Sequence, residues 1–321
     1  MSTNPKSPKK RKTAPRDEDD GDGDERVADR QGNPWYEDGK VTIRAGEVEF
    51  RVYGGLLKDR SEILKAELEK KSDRSRMINL RLDDSAEDVS AFLKMIFRPH
   101  DYPPDGQDAY FEMASACFRL GRKYQVPAVA RFGLFSILRA FSASDYRTFG
   151  RGILNPTPRI ALEAIALVDS HYLPRIVLPR AYWTVLANMD EMSQDNLSTL
   201  PPQHLARLLL TAVPLRTAYL QECLGWCDED PAQHNRSCSK PDSCMVAKRR
   251  IREEGAPAGR HEAYEIYHLK FCDQCESVYH PVFSAGWERL WAKLPRMFGL
   301  PEWKELEQEA ETVTKVPYNK I

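Results

Sequence analysis

From position 41 the chain alternates between apolar and polar residues. Val41, Ile43 and Ala45 are apolar, Gly46-Glu47 reverses the chain, and Val48, Phe50 and Val52 alternate again. A period of two residues on both sides of a turn predicts a hairpin with one buried face. Order is expected to begin near Trp35. Ser61 is placed as an N-cap, opening a helix that runs through Leu68. Ile63, Leu64 and Leu68 face inward there, with Lys65, Glu67, Glu69, Lys70 and Lys71 toward water. Ile78, Leu80 and Leu82 restore the alternation and predict a third strand. Asp83-Asp84-Ser85 then caps a helix, and the period changes again. Val89, Phe92, Leu93, Ile96 and Phe97 form the single apolar stripe of a helix. Pro99 and the Pro103-Pro104-Asp105-Gly106 stretch end it in a loop. A helix carrying Tyr110, Ala114, Cys117, Phe118 and Gly121 follows. Another starts near Pro127, a residue suited to a helix start, and runs to about Phe141.

Beyond Tyr146 no strand is predicted. Ile160 to Val168, Leu178 to Ala187 and Leu205 to Val213 read as helices, set off by Pro158, Pro174, Pro179 and Pro201-Pro202. Trp287, Trp291 and Trp303 gather near the end of the chain. They are expected to be core, because helical aromatics pack inward; a partner-binding surface is the other reading. No repeat with a period of ~20–50 residues is present, which argues against a solenoid. The pattern predicts an α+β fold. A small sheet flanked by helices spans 34–145, a helical extension 146–225, and a Cys- and Trp-rich helical region 226–321.

Composition adds the tail. Residues 1–33 contain only Met1, Ala14, Val27 and Ala28 as apolar residues. Such a segment cannot bury enough surface to offset the entropy of ordering it, so a disordered charged tail is expected. Its basic run, Pro8-Lys9-Lys10-Arg11-Lys12, suits an acidic receptor groove and is read as a nuclear-import signal. A solvated charged tail is the plainer alternative. Asp17 to Glu25 supplies seven carboxylates beside it. Over all 321 residues the formal net charge is only -1, so no general affinity for polyanions is implied. No apolar segment follows Met1, and the longest apolar stretch, Leu208 to Leu215, is far shorter than the ~20 residues that span a bilayer. A soluble intracellular protein with no membrane partner is expected, in the nucleus or otherwise in the cytoplasm.

Seven cysteines without a secretion signal point to reduced thiols, buried or metal-bound. Cys272-Asp273-Gln274-Cys275 is a Cys-x-x-Cys turn, which places two sulfurs on one side of a tetrahedron. Cys238 and Cys244, in a polar proline-containing stretch, are chosen as the second pair for one structural zinc. Cys227, His234 and His280 are reserves. Unrelated reduced thiols are the alternative. Cys117 falls on an apolar helix face and is expected in the core.

The segment from Trp35 to about Phe141 resembles a BTB/POZ domain. The residues that carry the resemblance are Asp38-Gly39-Lys40-Val41-Thr42-Ile43, Val48-Glu49-Phe50-Arg51-Val52-Tyr53, and Leu56-Leu57 with Ser61 ahead of Ile63-Leu64. Ile78-Asn79-Leu80-Arg81-Leu82-Asp83-Asp84 and Gly121-Arg122-Lys123-Tyr124-Gln125-Val126 complete it. Tyr53 stands where the family often has histidine, and Phe97-Arg98-Pro99-His100-Asp101 leads into a longer proline loop. Arg289-Leu290-Trp291-Ala292-Lys293-Leu294-Pro295 and Met297-Phe298-Gly299-Leu300-Pro301-Glu302-Trp303 are similar to the tail of BTB proteins from mushroom-forming fungi, which carry a Cys-x-x-Cys shortly upstream. The resemblance implies protein–protein recognition, self-association as a homodimer, and no catalysis. The proline loop lies near the surface that family members present to cullin-type ubiquitin ligase scaffolds, and the departure there leaves cullin binding open.

No phosphate-binding loop, dinucleotide fingerprint or nucleophile elbow is present. His261-Glu262-Ala263-Tyr264-Glu265 begins like a zinc-protease helix but has Glu265 where the second histidine would stand. An adaptor, not an enzyme, is expected. The alternative is a nucleic-acid-binding regulator using the tail and Lys248-Arg249-Arg250 with Arg252. Glu253 and Glu254 follow that run at once, so it is read as a solvated helix face.

Overall fold

A computed structural model describes residues 30–71, 77–101, 106–141, 156–171, 173–189, 192–228, 236–254 and 271–315. The basic run Pro8 to Lys12, the Pro103-Pro104-Asp105 loop, His234 and the His261 to Glu265 segment lie outside these residues. The fold is mostly helical with one small sheet, an α+β architecture.

The sheet has four strands in the order β1-β3-β2-β4. They are β1 Arg30–Trp35, β2 Val41–Ala45, β3 Val48–Val52 and β4 Ile78–Leu82. The hairpin forms as the alternation predicts, Ala45 opposite Val48 and Val41 opposite Val52. Gly46 takes φ +56 in the turn, a conformation that favours glycine. β4 returns parallel to β2, pairing Ile43 with Leu80. The described residues open with strand β1 at Arg30, ahead of the Trp35 expected from the pattern. β1 pairs in parallel with β3 at the sheet edge. Its first two residues, Arg30 and Gln31, are exposed and polar, so the strand is held by backbone pairing and carries no alternation to read.

Helices cover one face. α1 Gly54–Arg60 and α2 Glu62–Lys70 are separate elements divided by Ser61. Ser61 caps α2 by accepting from Leu64 N–H at 3.0 Å. Its hydroxyl donates to Tyr124 O at 2.5 Å, tying the start of α2 to the end of a later helix. α3 Ala86–Phe97 is capped by Ser85, whose side chain accepts from Asp88 N–H. α4 Gln107–Lys123 and α5 Pro127–Phe141 then form an antiparallel pair. Gln125, in the turn between them, holds φ +52, and Val126 N–H closes back on Gly121 O at 2.7 Å.

α4 is buried on two faces. Met113, Cys117 and Leu120 join the core beneath the sheet, with Val41, Phe50 and Phe92. Phe111, Ala114 and Phe118 join a second core with α5 and everything that follows. The apolar residues that the sequence places on this helix divide between the two, Cys117 in the first core and Ala114 and Phe118 in the second. Burial pushes the Cys117 thiol up to about 12, as suits a core cysteine. Arg119, on the same helix, reaches across the junction. It donates to both carboxylate oxygens of Asp88 on α3 at 2.8 Å, and to Glu163 on the later helix α6 (Pro158–His171) at 3.1 Å.

The C-terminal helices are α6 Pro158–His171, α7 Leu178–Ala187, α8 Gln194–Ser198, α9 Pro202–Glu222, α10 Pro241–Glu254, α11 Asp273–Met297 and α12 Trp303–Lys315. α9 continues through Pro214 to Glu222, past the end predicted at Val213. Pro214 sits on an exposed face beside Leu210 and Val213, where water can serve the carbonyl that loses its partner. Trp287, Trp291 and Trp303 are core residues, with Trp183 edge-on to Trp287 at 4.8 Å and Trp291 stacked on Trp303 at 5.6 Å. No described helix is long and apolar enough to cross a membrane.

α4 and α5 approach closely because Gly133 has no side chain. A Cβ there would lie 2.4 Å from both Ala114 O and Phe118 N. Gly133→Ala is therefore expected to force backbone apart and lower stability by about 2–3 kcal/mol; chemical denaturation of the two proteins would measure the difference.

Candidate metal centre

Two helix starts meet near the C-terminal end of the second core. Cys244 lies in the first turn of α10, its N–H bonded to Lys240 O at 3.0 Å, and Cys238 stands in the loop ahead. Cys272 is the N-cap of α11 with extended backbone (φ -73, ψ 157). Its carbonyl accepts from both Cys275 and Glu276 N–H at 2.9 Å, the bonds that turn the Cys-x-x-Cys segment into a helix.

The four sulfurs lie within 4.8 Å of one another. Cys238 and Cys272 sulfurs are 3.6 Å apart. A disulfide needs about 2.05 Å. Four sulfurs around one ion at about 2.3 Å would stand about 3.8 Å apart. The observed spacing fits the second geometry. Three of the cysteines are buried and Cys238 is half-buried, so an ion among them would be shielded from water. Among the described residues no other group of three or more histidine, cysteine or acidic side chains is placed to hold an ion. These four cysteines could therefore bind a structural metal.

The electrostatics favour thiolate at one sulfur. Burial opposes ionisation of Cys272, but the backbone N–H groups of Cys275 and Ser239, the Ser239 hydroxyl and the Cys238 thiol face its sulfur and hold its pKa down at about 5. Burial raises Cys244, although the Cys272 N–H donates to its sulfur at 3.3 Å. Burial also raises Cys275, reinforced by the Cys238 and Cys272 thiols. Metal binding needs every ligand deprotonated, so an ion entering this site would displace thiol protons.

Of the reserve ligands, Cys227 and His280 fall outside the cluster: Cys227 packs against the second core and His280 sits further along α11. Cys223 is buried in the core.

One helical turn on from Cys244 and Cys275 lies a group of aromatic rings with a buried lysine that the sequence reading does not anticipate. Trp226 stacks on Tyr279 with ring centroids 4.4 Å apart, and Phe271 closes on Tyr279 at 5.5 Å. Lys248 is only 1% exposed, with its Nζ over the Tyr279 ring at 5.4 Å and the Trp226 ring at 6.0 Å. This corrects the reading of the basic run as a solvated face: Arg249 and Arg250 are exposed, but Lys248 points into the protein. The signal was present as spacing. Cys244 to Lys248 and Cys275 to Tyr279 are both steps of four, which share a helix face.

No protein-family model matches the chain, and no curated protein matches it. Chemistry of the site rests on the cysteines themselves. Cobalt(II) added to the reduced protein is expected to saturate at one equivalent with sulfur-to-metal absorption bands, and Cys275→Ser is expected to abolish them; a featureless titration would count against a tetrathiolate centre.

Proposed function

We propose that the chain is a protein-interaction adaptor of the BTB/POZ kind, of the type found in mushroom-forming fungi, with one structural zinc in its C-terminal region. The observation that carries this reading is the element order around the sheet. Hairpin β2–β3, paired helices α1 and α2, returning strand β4, then α3 and the α4–α5 pair follow one another as the resemblance implies. The junctions agree as well. The Lys-Tyr segment after α4 is anchored by Tyr124 and Lys123, which donate to Asp84 in the acidic turn after β4.

An interaction role is supported by an aromatic cluster at the surface. Tyr53 is 39% exposed and lies 4.7 Å from Tyr36 and 6.5 Å from Phe97, measured between ring centroids. Arg98 sits over the Tyr36 ring at 5.3 Å. Aromatics and arginine are the residues enriched at binding hot spots. Tyr53, in the place of the family's histidine, donates to Asp38 at 2.7 Å. The setting we propose is nuclear regulation or recruitment of substrates to a ubiquitin ligase, with the run Pro8 to Lys12 as the import signal. The nucleic-acid alternative loses a cation, since Lys248 is buried.

Zinc is the metal we assign to the four cysteines, because four thiolates in a tetrahedron suit its soft-borderline character and leave no open position for catalysis.

Self-association is best tested on the chain containing both cores. A fragment ending near 145 would lose the partners of Phe111, Ile137 and Phe141, which belong to the second core. Light scattering of the whole chain at micromolar concentration is expected to give twice the monomer mass; a monomer would remove the homodimer from the proposal. A reporter carrying residues 1–33 is expected to concentrate in the nucleus and to lose that on Lys10→Ala with Arg11→Ala. Equal distribution of the unmutated fusion would remove the import signal.

A further inference from the structure

The four clustered cysteines differ in their surroundings. Cys244 and Cys275 are fully buried in the first turns of α10 and α11, and Cys272 is buried at the N-cap of α11. Cys238 is half-buried and stands in the loop ahead of α10, outside any helix. Of the four sulfurs it is the one a small solute meets first from water. Its sulfur lies 3.6 Å from that of Cys272. A disulfide bond is about 2.05 Å long, so closing this pair asks for a movement of about 1.5 Å, which a loop residue can make. The Ser239 hydroxyl, next to Cys238, donates to Gln274 Oε1 at 3.3 Å and ties the loop to the first turn of α11, beside Cys272.

We infer that Cys238 and Cys272 form a reversible disulfide when a hydroperoxide reaches the cluster, and that this bond and a bound metal exclude one another. The exclusion rests on the zinc reading of Cys238, Cys244, Cys272 and Cys275; the disulfide rests on the sulfur geometry alone. The chemistry takes two steps. The Cys238 thiolate attacks one oxygen of hydrogen peroxide, an S–O bond forms, the O–O bond breaks, and hydroxide leaves a sulfenic acid behind. The Cys272 thiolate then attacks the Cys238 sulfur, the S–S bond forms, the S–O bond breaks, and a second hydroxide leaves. Two electrons pass from the sulfur pair to the peroxide, and two protons turn the two hydroxides into water. Sulfurs joined in a disulfide are no longer thiolates, so Cys244 and Cys275 alone would remain for the metal. Two ligands are half of what a structural zinc takes, and the ion leaves.

The remaining cysteines are less well placed. Cys117 and Cys223 are fully buried. Cys227 is half-buried like Cys238, but it is not among the sulfurs that lie within 4.8 Å of one another. Cys275 shares the Cys-x-x-Cys turn with Cys272, yet its burial leaves Cys238 as the sulfur that meets the oxidant.

The test uses the whole chain, reduced and then offered one equivalent of zinc. Hydrogen peroxide is added, released zinc is read with a chromogenic chelator, remaining thiols are alkylated in denaturant, and the digested protein is mapped by mass spectrometry. The full equivalent of zinc is expected in solution, with the thiol count lowered by two from the seven that the chain carries. The map is expected to show one linked pair of peptides, carrying Cys238 and Cys272. Dithiothreitol followed by fresh zinc should restore the thiols and the bound metal. C227S is expected to respond as the unmutated chain does, and C238S to lose the linked pair. A bridge between Cys272 and Cys275, sulfinic acid at Cys238 with no bridge, or no oxidation at all would overturn the pairing. Zinc still bound after the bridge has formed would overturn the exclusion. A reduced chain that takes up no zinc would remove the metal reading and the exclusion with it, and the peptide map of that same chain would decide the disulfide on its own.

Discussion

The close approach of α4 and α5 is the constraint on which the rest of the molecule depends. Gly133 lets α5 lie against Ala114 and Phe118 of α4, and Gly121 lets the far end of α4 meet Ala130, where a Cβ would come within 2.4 Å of backbone nitrogen. With the two backbones this near, the pair forms a thin wall that is apolar on both sides. One side completes the core under the sheet and the other begins the core of the helical half. Neither half can be removed without exposing large side chains of the wall, so the sheet domain and the helical extension share a packed interface. Arg119 adds a polar tie across the same wall. Burial works against its charge, and Asp88 and Glu163 outweigh that loss.

At the other end of the second core the chain has less to pack with. α10 is short and strongly polar, and its apolar contribution is Cys244, Ala247 and Ile251. What joins it to α11 is the four-cysteine cluster and the layer of Trp226, Tyr279 and Lys248 beside it. A metal–thiolate centre suits such a place, because it supplies binding free energy that a small apolar contact cannot. Nearby, α11 is seated on α9 by a close contact of its own, with Gly286 against the carbonyl of Glu222. Glu222 also accepts from Arg289 at 2.8 Å, and with Lys293 these cations hold its carboxyl below the usual range. The proposed adaptor role would draw on both parts, the sheet domain with its partly exposed Tyr53 and the helical region with its candidate metal cluster.

Much of this could be read from the amino-acid order alone, and the reason is local. The hairpin, the Ser61 and Ser85 caps, the α3 stripe and the limits of α5 and α7 depend on period, capping and proline chemistry within a few residues. The four cysteines that come within 4.8 Å of one another are also legible as a set, because Cys-x-x-Cys is a local motif and the other pair lies in a polar stretch. Edge strand β1 escaped notice because its pairing is backbone alone. The continuation of α9 past Pro214 escaped because the cost of a helical proline depends on whether water reaches the freed carbonyl, and only the packing decides which face is wet.

The sequence by itself determined the elements, the α+β character and which cysteines could converge, since each follows from chemistry between near neighbours. Tertiary structure alone decided that α4 would face two cores, that four sulfurs separated along the chain would come within 4.8 Å, and that Lys248 would turn inward onto two aromatic rings. Those outcomes depend on which elements meet across space, and a lysine in a basic run gives no local sign that its neighbours in the fold will be aromatic rings.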